Sequence, residues 1–214
     1  MYTRRRAVAM GVIGISALSG CSGAAELARG DGPLEREAAR AAVSESAIAG
    51  TEYELKEATD EVIEQEISAG GQERTIIATN KLNRYAKAID ISEEGSLFGV
   101  ISSPGFEFAG RTLNPVASQS NRELLELARQ QFSNLTIGGS VEETERTVLG
   151  TETTVSKFEA TATFGPEEYD IYIHVGSVTN EGDVIIGLGG YPQDFDDTEN
   201  DTIAGFFGEI EHPV

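Results

Sequence analysis

Apolar and polar residues alternate most clearly in the C-terminal third of the chain. Segments 158–164 and 169–175 each carry an apolar or aromatic residue at every second position. A period of two is typical of a strand with one buried face and one solvated face. Residues 183–191 are apolar on both faces near their middle. We therefore predict three consecutive strands close to the end of the chain.

Earlier strands are predicted between residues 51 and 108. Tyr53 and Leu55 begin a polar-rich strand that continues to Ile67, and the sequence Ala-Gly-Gly-Gln at 69–72 is typical of a hairpin turn. A return strand is predicted over about 73–91 and a short apolar strand over 97–102. A further strand contains Phe106 and Phe108.

Three other segments show the spacing of apolar residues that is typical of helices. The first follows Pro33, which suits the first turn of a helix, and could either dock on the sheet or form a solvated stalk. The second begins at the S-x-x-E capping box formed by Ser120 and Glu123, and the third at Thr198. Their apolar residues are Leu34, Ala38, Ala41 and Ala42; then Leu124, Leu125, Leu127, Ala128 and Phe132; then Ile203, Ala204, Phe206, Phe207 and Ile210.

The order of these elements predicts the fold class. It is helix, hairpin, one or two strands, helix, three strands and helix. Strands joined by short turns pair antiparallel with their neighbours. We expect residues 33–214 to form one α+β domain, with a mainly antiparallel sheet of about six strands and helices packed on it.

The net charge of the chain is −20, and the segment after residue 20, which holds all 36 acidic and 13 of the 16 basic residues, has a charge of −23. Such a chain is either disordered or folded and adapted to strong salt, where the Debye length falls to about 3 Å at 1 M. An apolar content of 39% and the strand patterns favour the folded, halophilic interpretation. The charge disfavours nucleic acid as a partner, since phosphates are repelled.

The first 20 residues have the organisation of an export signal. Arg4 and Arg5 lie in a basic segment, and the 12 residues from 7 to 18 are mostly apolar or small, which is too short for a helix of about 20 residues to span a membrane. Leu18, Ser19, Gly20 and Cys21 follow in the order of a lipobox, the alternative being a lone buried cysteine. We predict a signal peptide over 1–20, a lipid on Cys21 and a flexible tether over 21–32. Cys21 is the only cysteine, so no intramolecular disulfide can form.

The chain resembles an uncharacterised family of haloarchaeal twin-arginine (Tat) lipoproteins. The resemblance rests on the arginine pair, the lipobox, residues 111–115 and residues 148–155 ahead of Lys157 and Phe158. It covers most of the chain and implies export to the outer face of the cell membrane. More distantly, the helix, three strands and helix at the end are similar to PsbP-like domains, which implies an adaptor or binding scaffold.

Two histidines and one glycine-rich segment are weak candidates for chemistry. His174 lies on the same predicted polar strand face as Asp170 and Tyr172, while His212 lies at the C-terminus, which we expect to be mobile, so a solvated histidine is favoured over a metal ligand. The segment 187–190 (Gly-Leu-Gly-Gly) is not followed by a helix start, as a phosphate site requires, so we expect it to give flexibility at the end of a strand.

A cluster of carboxylates could attract Ca²⁺ or Mg²⁺ through Asp194, Asp196, Asp197, Glu199 and Asp201. It does not fit an EF-hand loop, because Glu199 stands at position 6 instead of glycine and Gly205 at position 12 instead of glutamate. An acidic helix start, which complements the helix dipole, is the favoured interpretation. Asn134 and Asn200 begin sequons for N-glycosylation.

No catalytic motif is recognisable, and the covalent lipid is the sole cofactor that the sequence predicts. The leading hypothesis is a membrane-anchored, non-catalytic domain that binds an envelope protein or a small ligand. A carboxylate-based envelope hydrolase and a divalent-cation-binding lipoprotein are the alternatives.

Overall fold

The computed structural model describes residues 32–69, 72–89, 92–108, 111–129, 135–164 and 167–214. The predicted signal residues Arg4, Arg5, Leu18, Ser19 and Gly20, the predicted lipid-acceptor Cys21 and the sequon residue Asn134 lie outside these ranges.

Twelve strands and three helices occur in the described residues. In chain order they are β1 (Leu34–Glu37), β2 (Ala42–Val43), α1 (Glu45–Ala49), β3 (Glu54–Ala69), β4 (Gln72–Ile89), β5 (Ser92–Pro104), β6 (Phe106–Phe108), β7 (Arg111–Leu113), α2 (Asn121–Arg129), β8 (Leu135–Val148), β9 (Thr151–Phe164), β10 (Glu167–Asn180), β11 (Asp183–Pro192), α3 (Asp196–Phe206) and β12 (Ile210–Glu211). Short 3-10 turns, Gln193–Phe195 and Phe207–Glu209, flank α3.

Eight of the strands form one mainly antiparallel sheet, in which seven follow the order β3-β4-β5-β11-β10-β9-β8. The eighth strand, β1, runs parallel to β4 and pairs with the same edge of β4 as β5 does, at a different part of that strand. The α+β class is confirmed, but the sheet is larger than the six strands expected. Part of the difference is β8, which the sequence pattern missed. As an edge strand it is largely exposed on both faces and therefore shows little apolar alternation.

The helix expected after Pro33 is wrong. Residues 34–37 instead form β1, which pairs with residues 76–79 of β4. Leu34 packs against a small buried cluster that contains Ile76 and Phe106. Main-chain pairing with β4 and this contact outweigh a weak helical pattern, as tertiary contacts often outweigh local propensity.

The helices predicted from Ser120 and Thr198 are both present. Ser120 Oγ accepts a hydrogen bond from the Glu123 N–H at 3.3 Å, and Glu123 Oε2 accepts one from the Ser120 N–H at 2.8 Å, which is the predicted capping box. Helix α3 begins at Asp196, two residues earlier than expected, with acidic residues in its first turn. Within the described ranges, no helix has the length and apolar content needed to cross a membrane.

The helices cover both faces of the sheet. Leu124 and Leu125 of α2 pack with Phe158, Ile173 and other residues of β9, β10 and β11 on one face. On the opposite face, α3 and the turn after it pack over strands that include β5 and β11. The solvated face expected for residues 169–175 is therefore buried around His174, which α3 covers.

The glycines of β11 permit this close contact. A Cβ atom at Gly187 would lie 2.6 Å from Phe207 Cε1, and one at Gly189 would lie 2.6 Å from Ile203 Cγ2. Both distances are shorter than packed carbon atoms tolerate. The expectation that residues 187–190 give flexibility is thus wrong, because here glycine makes room for α3 to pack on the sheet.

Candidate functional site

A cleft opens where β9 and β10 separate. The two strands pair only where residues 156–164 lie opposite residues 167–175. Beyond that point β9 remains paired with β8 and β10 with β11, up to two hairpin turns at the same end of the sheet. Both turns contain two residues with positive φ, Leu149–Gly150 and Glu181–Gly182, as in tight type I′ hairpins.

The cleft has a volume of about 500 Å³ and is open to solvent. Val178, which belongs to the buried cluster around Phe207, is among the residues that line it. Glu152 is the single charged residue among those that line it. The hydroxyl and amide side chains of the lining are Gln119, Ser120, Asn121, Thr151, Thr153, Thr154, Ser177 and Thr179. In a chain with a net charge of −20, this is a surface suited to an uncharged polar ligand.

Main-chain groups also point into the cleft. In a two-residue hairpin the residues that flank the turn are hydrogen-bonded to each other, so every second residue directs its N–H and C=O to the outer edge. These residues are Glu152 and Thr154 in β9 and Ser177 and Thr179 in β10. Asn121 supports this assignment, because its Nδ2 donates to the Thr154 carbonyl at 2.9 Å.

Two clusters of polar side chains lie beneath α3, and Glu199 is at the centre of the first. The Glu199 side chain is 1% exposed. Its Oε2 accepts hydrogen bonds from Tyr53 Oη at 2.6 Å and Ser96 Oγ at 2.9 Å, and its Oε1 accepts one from Lys87 Nζ at 2.8 Å. Burial raises the pKa of Glu199, but the hydrogen bonds from Lys87, Tyr53 and Ser96 outweigh it and hold the pKa below its usual value.

Asp196 is at the centre of the second cluster, and its side chain is partly exposed. Its Oδ1 accepts hydrogen bonds from Lys157 Nζ at 2.5 Å and Tyr191 Oη at 2.8 Å. Lys157 Nζ also donates to Asn200 Oδ1 at 2.9 Å and lies 4.1 Å from the centre of the Tyr172 ring. Burial raises the pKa of Asp196, but the bonds from Lys157 and Tyr191 outweigh it, so this carboxylate is also held ionised.

His174 contacts the second cluster, with Nε2 3.0 Å from Tyr191 Oη. Because Tyr191 donates its proton to Asp196, we assign a proton to Nε2 of His174, which donates to Tyr191. Burial, with the nearby positive charge of Lys157, lowers the pKa of His174 to about 4. His174 is 4% exposed, so the solvated position expected for it is wrong.

His212 is also buried rather than mobile, because its side chain is 1% exposed. Its Nδ1 lies 2.9 Å from Asn180 Oδ1 and its Nε2 3.3 Å from Asp183 Oδ2. Asp183 Oδ2 also accepts a hydrogen bond from the Ala39 N–H at 2.8 Å. These contacts tie the C-terminus to β11 and to the segment after β1.

The five carboxylates of the predicted cation cluster do not converge. Asp196 and Glu199 point inward to lysines, whereas Asp194, Asp197 and Asp201 are exposed. In the part of the chain that the structure describes, no group of three or more histidine, cysteine or acidic side chains could hold a metal ion. Asp196 and Glu199 also lack the property of a general acid, which must retain its proton near neutral pH, since both carboxylates are held ionised.

The two clusters were missed by sequence reasoning, although one signal for the first was present. Glu199 lies four residues after Phe195 and four before Ile203, so it falls on the apolar stripe of α3. Its partners Tyr53 and Ser96 are 146 and 103 residues away in sequence, and no local pattern pairs them with it. Asn200, the second sequon residue, lies in α3 with its Oδ1 bonded to Lys157 and Tyr191.

Comparison with known proteins gives a family and a distant likeness to a solved structure. The family described as a domain of unknown function (DUF6517) matches residues 40–211. No curated protein matches the chain. The chain is similar to the solution structure of cyanobacterial PsbP (CyanoP) from Synechocystis, with 10% identity over 81% of this chain and 92% of that one and a TM-score of 0.38. PsbP is also the class of domain to which the sequence suggests a distant resemblance.

Proposed function

We propose that this chain, which belongs to the DUF6517 family of domains of unknown function, is an exported, lipid-anchored protein whose domain binds another molecule without catalysis. The cleft between β9 and β10 carries the proposal. It is large, open to solvent and nearly uncharged. By contrast, the carboxylates Glu199 and Asp196 lie at α3, away from the cleft, and already accept hydrogen bonds from neighbouring side chains. Accessible polar groups without an acid and base among them suit binding rather than catalysis.

An extended segment of a partner protein is the ligand that the main-chain groups of the cleft favour. Ser177 and Thr179 offer N–H and C=O groups along one wall, and Glu152 offers them along the other. A peptide that pairs with such an edge gains affinity from main-chain hydrogen bonds and specificity from alternate side chains. The hydroxyl-rich lining suits a segment with small polar side chains.

Photo-cross-linking from the cleft tests this proposal. A cross-linking residue at Thr179, which is exposed in the cleft, is compared with one at Val62, which is 65% exposed on β3. The full-length protein is irradiated in native membranes at high salt. We expect a discrete product of higher mass from Thr179 alone. Equal products from both positions, or none from Thr179, would contradict binding of a protein in the cleft.

The proposed anchor has a separate test. Lipid chains contribute about 0.8 kcal/mol for each CH₂ group buried in a membrane, so a two-chain anchor holds a protein stably. The variant Cys21→Ser lacks the thiol that would carry the lipid and should move from the membrane fraction to the soluble fraction. Mass spectrometry of the native protein should show a lipid on Cys21 and no residues before it. An unmodified Cys21 with residues 1–20 still attached would refute both anchor and export signal.

A further inference from the structure

A small cavity, here called the α3 cavity, lies between α3 and strands β8, β9 and β10. Its volume is about 20 Å³, enough for one particle the size of a water molecule or a halide ion. Its polar lining includes Thr144 and Arg146 of β8, Lys157 of β9, His174 of β10 and Asn200 of α3. The cavity is therefore lined on several sides by groups that can donate hydrogen bonds.

Among the residues that line the cavity, Arg146 has a buried N–H group without a hydrogen-bond partner. Its Nε is buried and, within the described part of the chain, has no hydrogen-bond partner. Among the same residues, no ion pair involves Arg146. A buried donor without an acceptor lowers the stability of a fold, and more so when the group is charged. This is unexpected in a chain with 36 acidic and 16 basic residues.

Of the two basic side chains that line the cavity, Lys157 and Arg146, only Arg146 lacks an ion pair among the described residues. Lys157 is paired with Asp196, so its charge is compensated. His174 is held neutral, partly by the positive charges of Lys157 and Arg146. Glu142 also lines the cavity, but it is exposed and its Oε1 accepts a hydrogen bond from Thr144 Oγ1 at 3.1 Å. The guanidinium of Arg146 therefore lacks a direct counter-charge.

We propose that the α3 cavity binds a small monovalent anion of the size of chloride, held by the N–H and the positive charge of Arg146 in a cavity that Lys157 also lines. Such an ion would satisfy the buried donor and balance the charge of Arg146 at once. A water molecule would accept the hydrogen bond but leave the charge uncompensated. Sulfate and phosphate are too large for the volume. The bound ion would link β8, β9 and α3 and so stabilise the packing of the helix.

Thermal unfolding of the full-length protein tests the proposal. Chloride replaces gluconate at constant ionic strength, which separates anion binding from general screening. We expect a saturable rise of Tm by about 5 °C in chloride, as for a ligand that binds the folded state alone. The variant Arg146→Gln should lose this rise. Its control, Arg122→Gln, replaces an exposed arginine of α2 and should retain it.

Bromide diffraction gives an independent result that does not depend on a variant that folds. Crystals of the unchanged protein soaked in bromide should show an anomalous peak within hydrogen-bonding distance of Arg146 Nε. A water molecule at that position without an anomalous peak, or equal Tm values in chloride and gluconate, would overturn the proposal and leave an internal water only.

Discussion

At the scale of single residues, the neighbouring side chains beneath α3 determine whether each ionisable group there is charged. Glu199 and Asp196 stay ionised because each accepts a hydrogen bond from a lysine. His174 stays neutral because burial and the nearby Lys157 disfavour a second positive charge. A buried charge is tolerated where it is paired and hydrogen-bonded, and each of these residues should therefore respond to loss of its partner or to a change of pH.

We expect His174 to make the protein less stable in acid. Its pKa is about 4 in the folded state and about 6.5 when unfolded, so between these values the unfolded state binds more protons. The free energy of unfolding is thus highest above pH 6.5 and falls as the pH decreases toward 4. The variant His174→Gln keeps an N–H donor for Tyr191 but cannot titrate. Urea unfolding at pH 7 and pH 4.5 should show a decrease smaller than that of the unchanged protein by about 2 kcal/mol. Equal decreases in the two proteins would refute the assignment.

The ion pair between Glu199 and Lys87 should show strong coupling. Lys87→Met leaves the buried Glu199 without its lysine and should lower the free energy of unfolding by about 3 kcal/mol. Glu199→Gln should cost less, because Lys87 is partly exposed and still pairs with Glu52 at 3.1 Å. The double variant leaves no unpaired charge, so its loss should be clearly smaller than the sum of the two. Denaturant unfolding of all four proteins measures this, and additive losses would show that the pair does not act as a unit.

At the scale of elements, the position of α3 depends on the absence of side chains at two glycines of β11 as well as on the apolar side chains of the sheet. Gly187 and Gly189 leave space into which Phe207 and Ile203 pack. On the opposite face, α2 is held by its capping box and by Asn121, which bonds to β9. The strands β9, β10 and β11 were predictable because one face or both are apolar, whereas β1 and β8 were not, since main-chain pairing defines them more than side-chain pattern does.

Substitution of two glycines with alanine should change stability in opposite directions. Gly189→Ala places a methyl group against Ile203 Cγ2 and should destabilise the protein by about 1–3 kcal/mol, because a packed core resists added volume. Gly205→Ala, in an exposed part of α3, places its methyl in open space and should stabilise the protein by about 0.5–1 kcal/mol through helix propensity. Thermal unfolding compares the two. A neutral Gly189→Ala would mean that α3 does not pack closely on β11.

At the scale of the whole molecule, the net charge of −20 opposes folding through self-repulsion. The partly buried ion pairs beneath α3 are screened by salt less than exposed charges are. All four lysines of the chain contact carboxylates, so the remaining acidic residues greatly outnumber available cations. We propose that strong salt is the condition in which this domain is most stable.

A salt series tests that proposal. Tm should rise between about 0.1 M and 2 M potassium gluconate, which adds ionic strength without halide, because screening weakens carboxylate repulsion. A variant with three exposed glutamates of β3 replaced (Glu61→Gln, Glu64→Gln and Glu66→Gln) should already be more stable at low salt and gain less from added salt. The highest Tm at low ionic strength would contradict adaptation to salt.

The sequence by itself determined features that involve neighbours along the chain. Apolar alternation, the Ser120 capping box, the acidic start of α3 and the β3–β4 hairpin arise from contacts within a few residues, so their signals are local. The tertiary structure alone determined the presence of the cleft, which exists because β9 and β10 separate after a limited stretch of pairing. It also decided the burial of His174 and the partners of Glu199, because those contacts join residues far apart in sequence and depend on how α3 packs on the sheet.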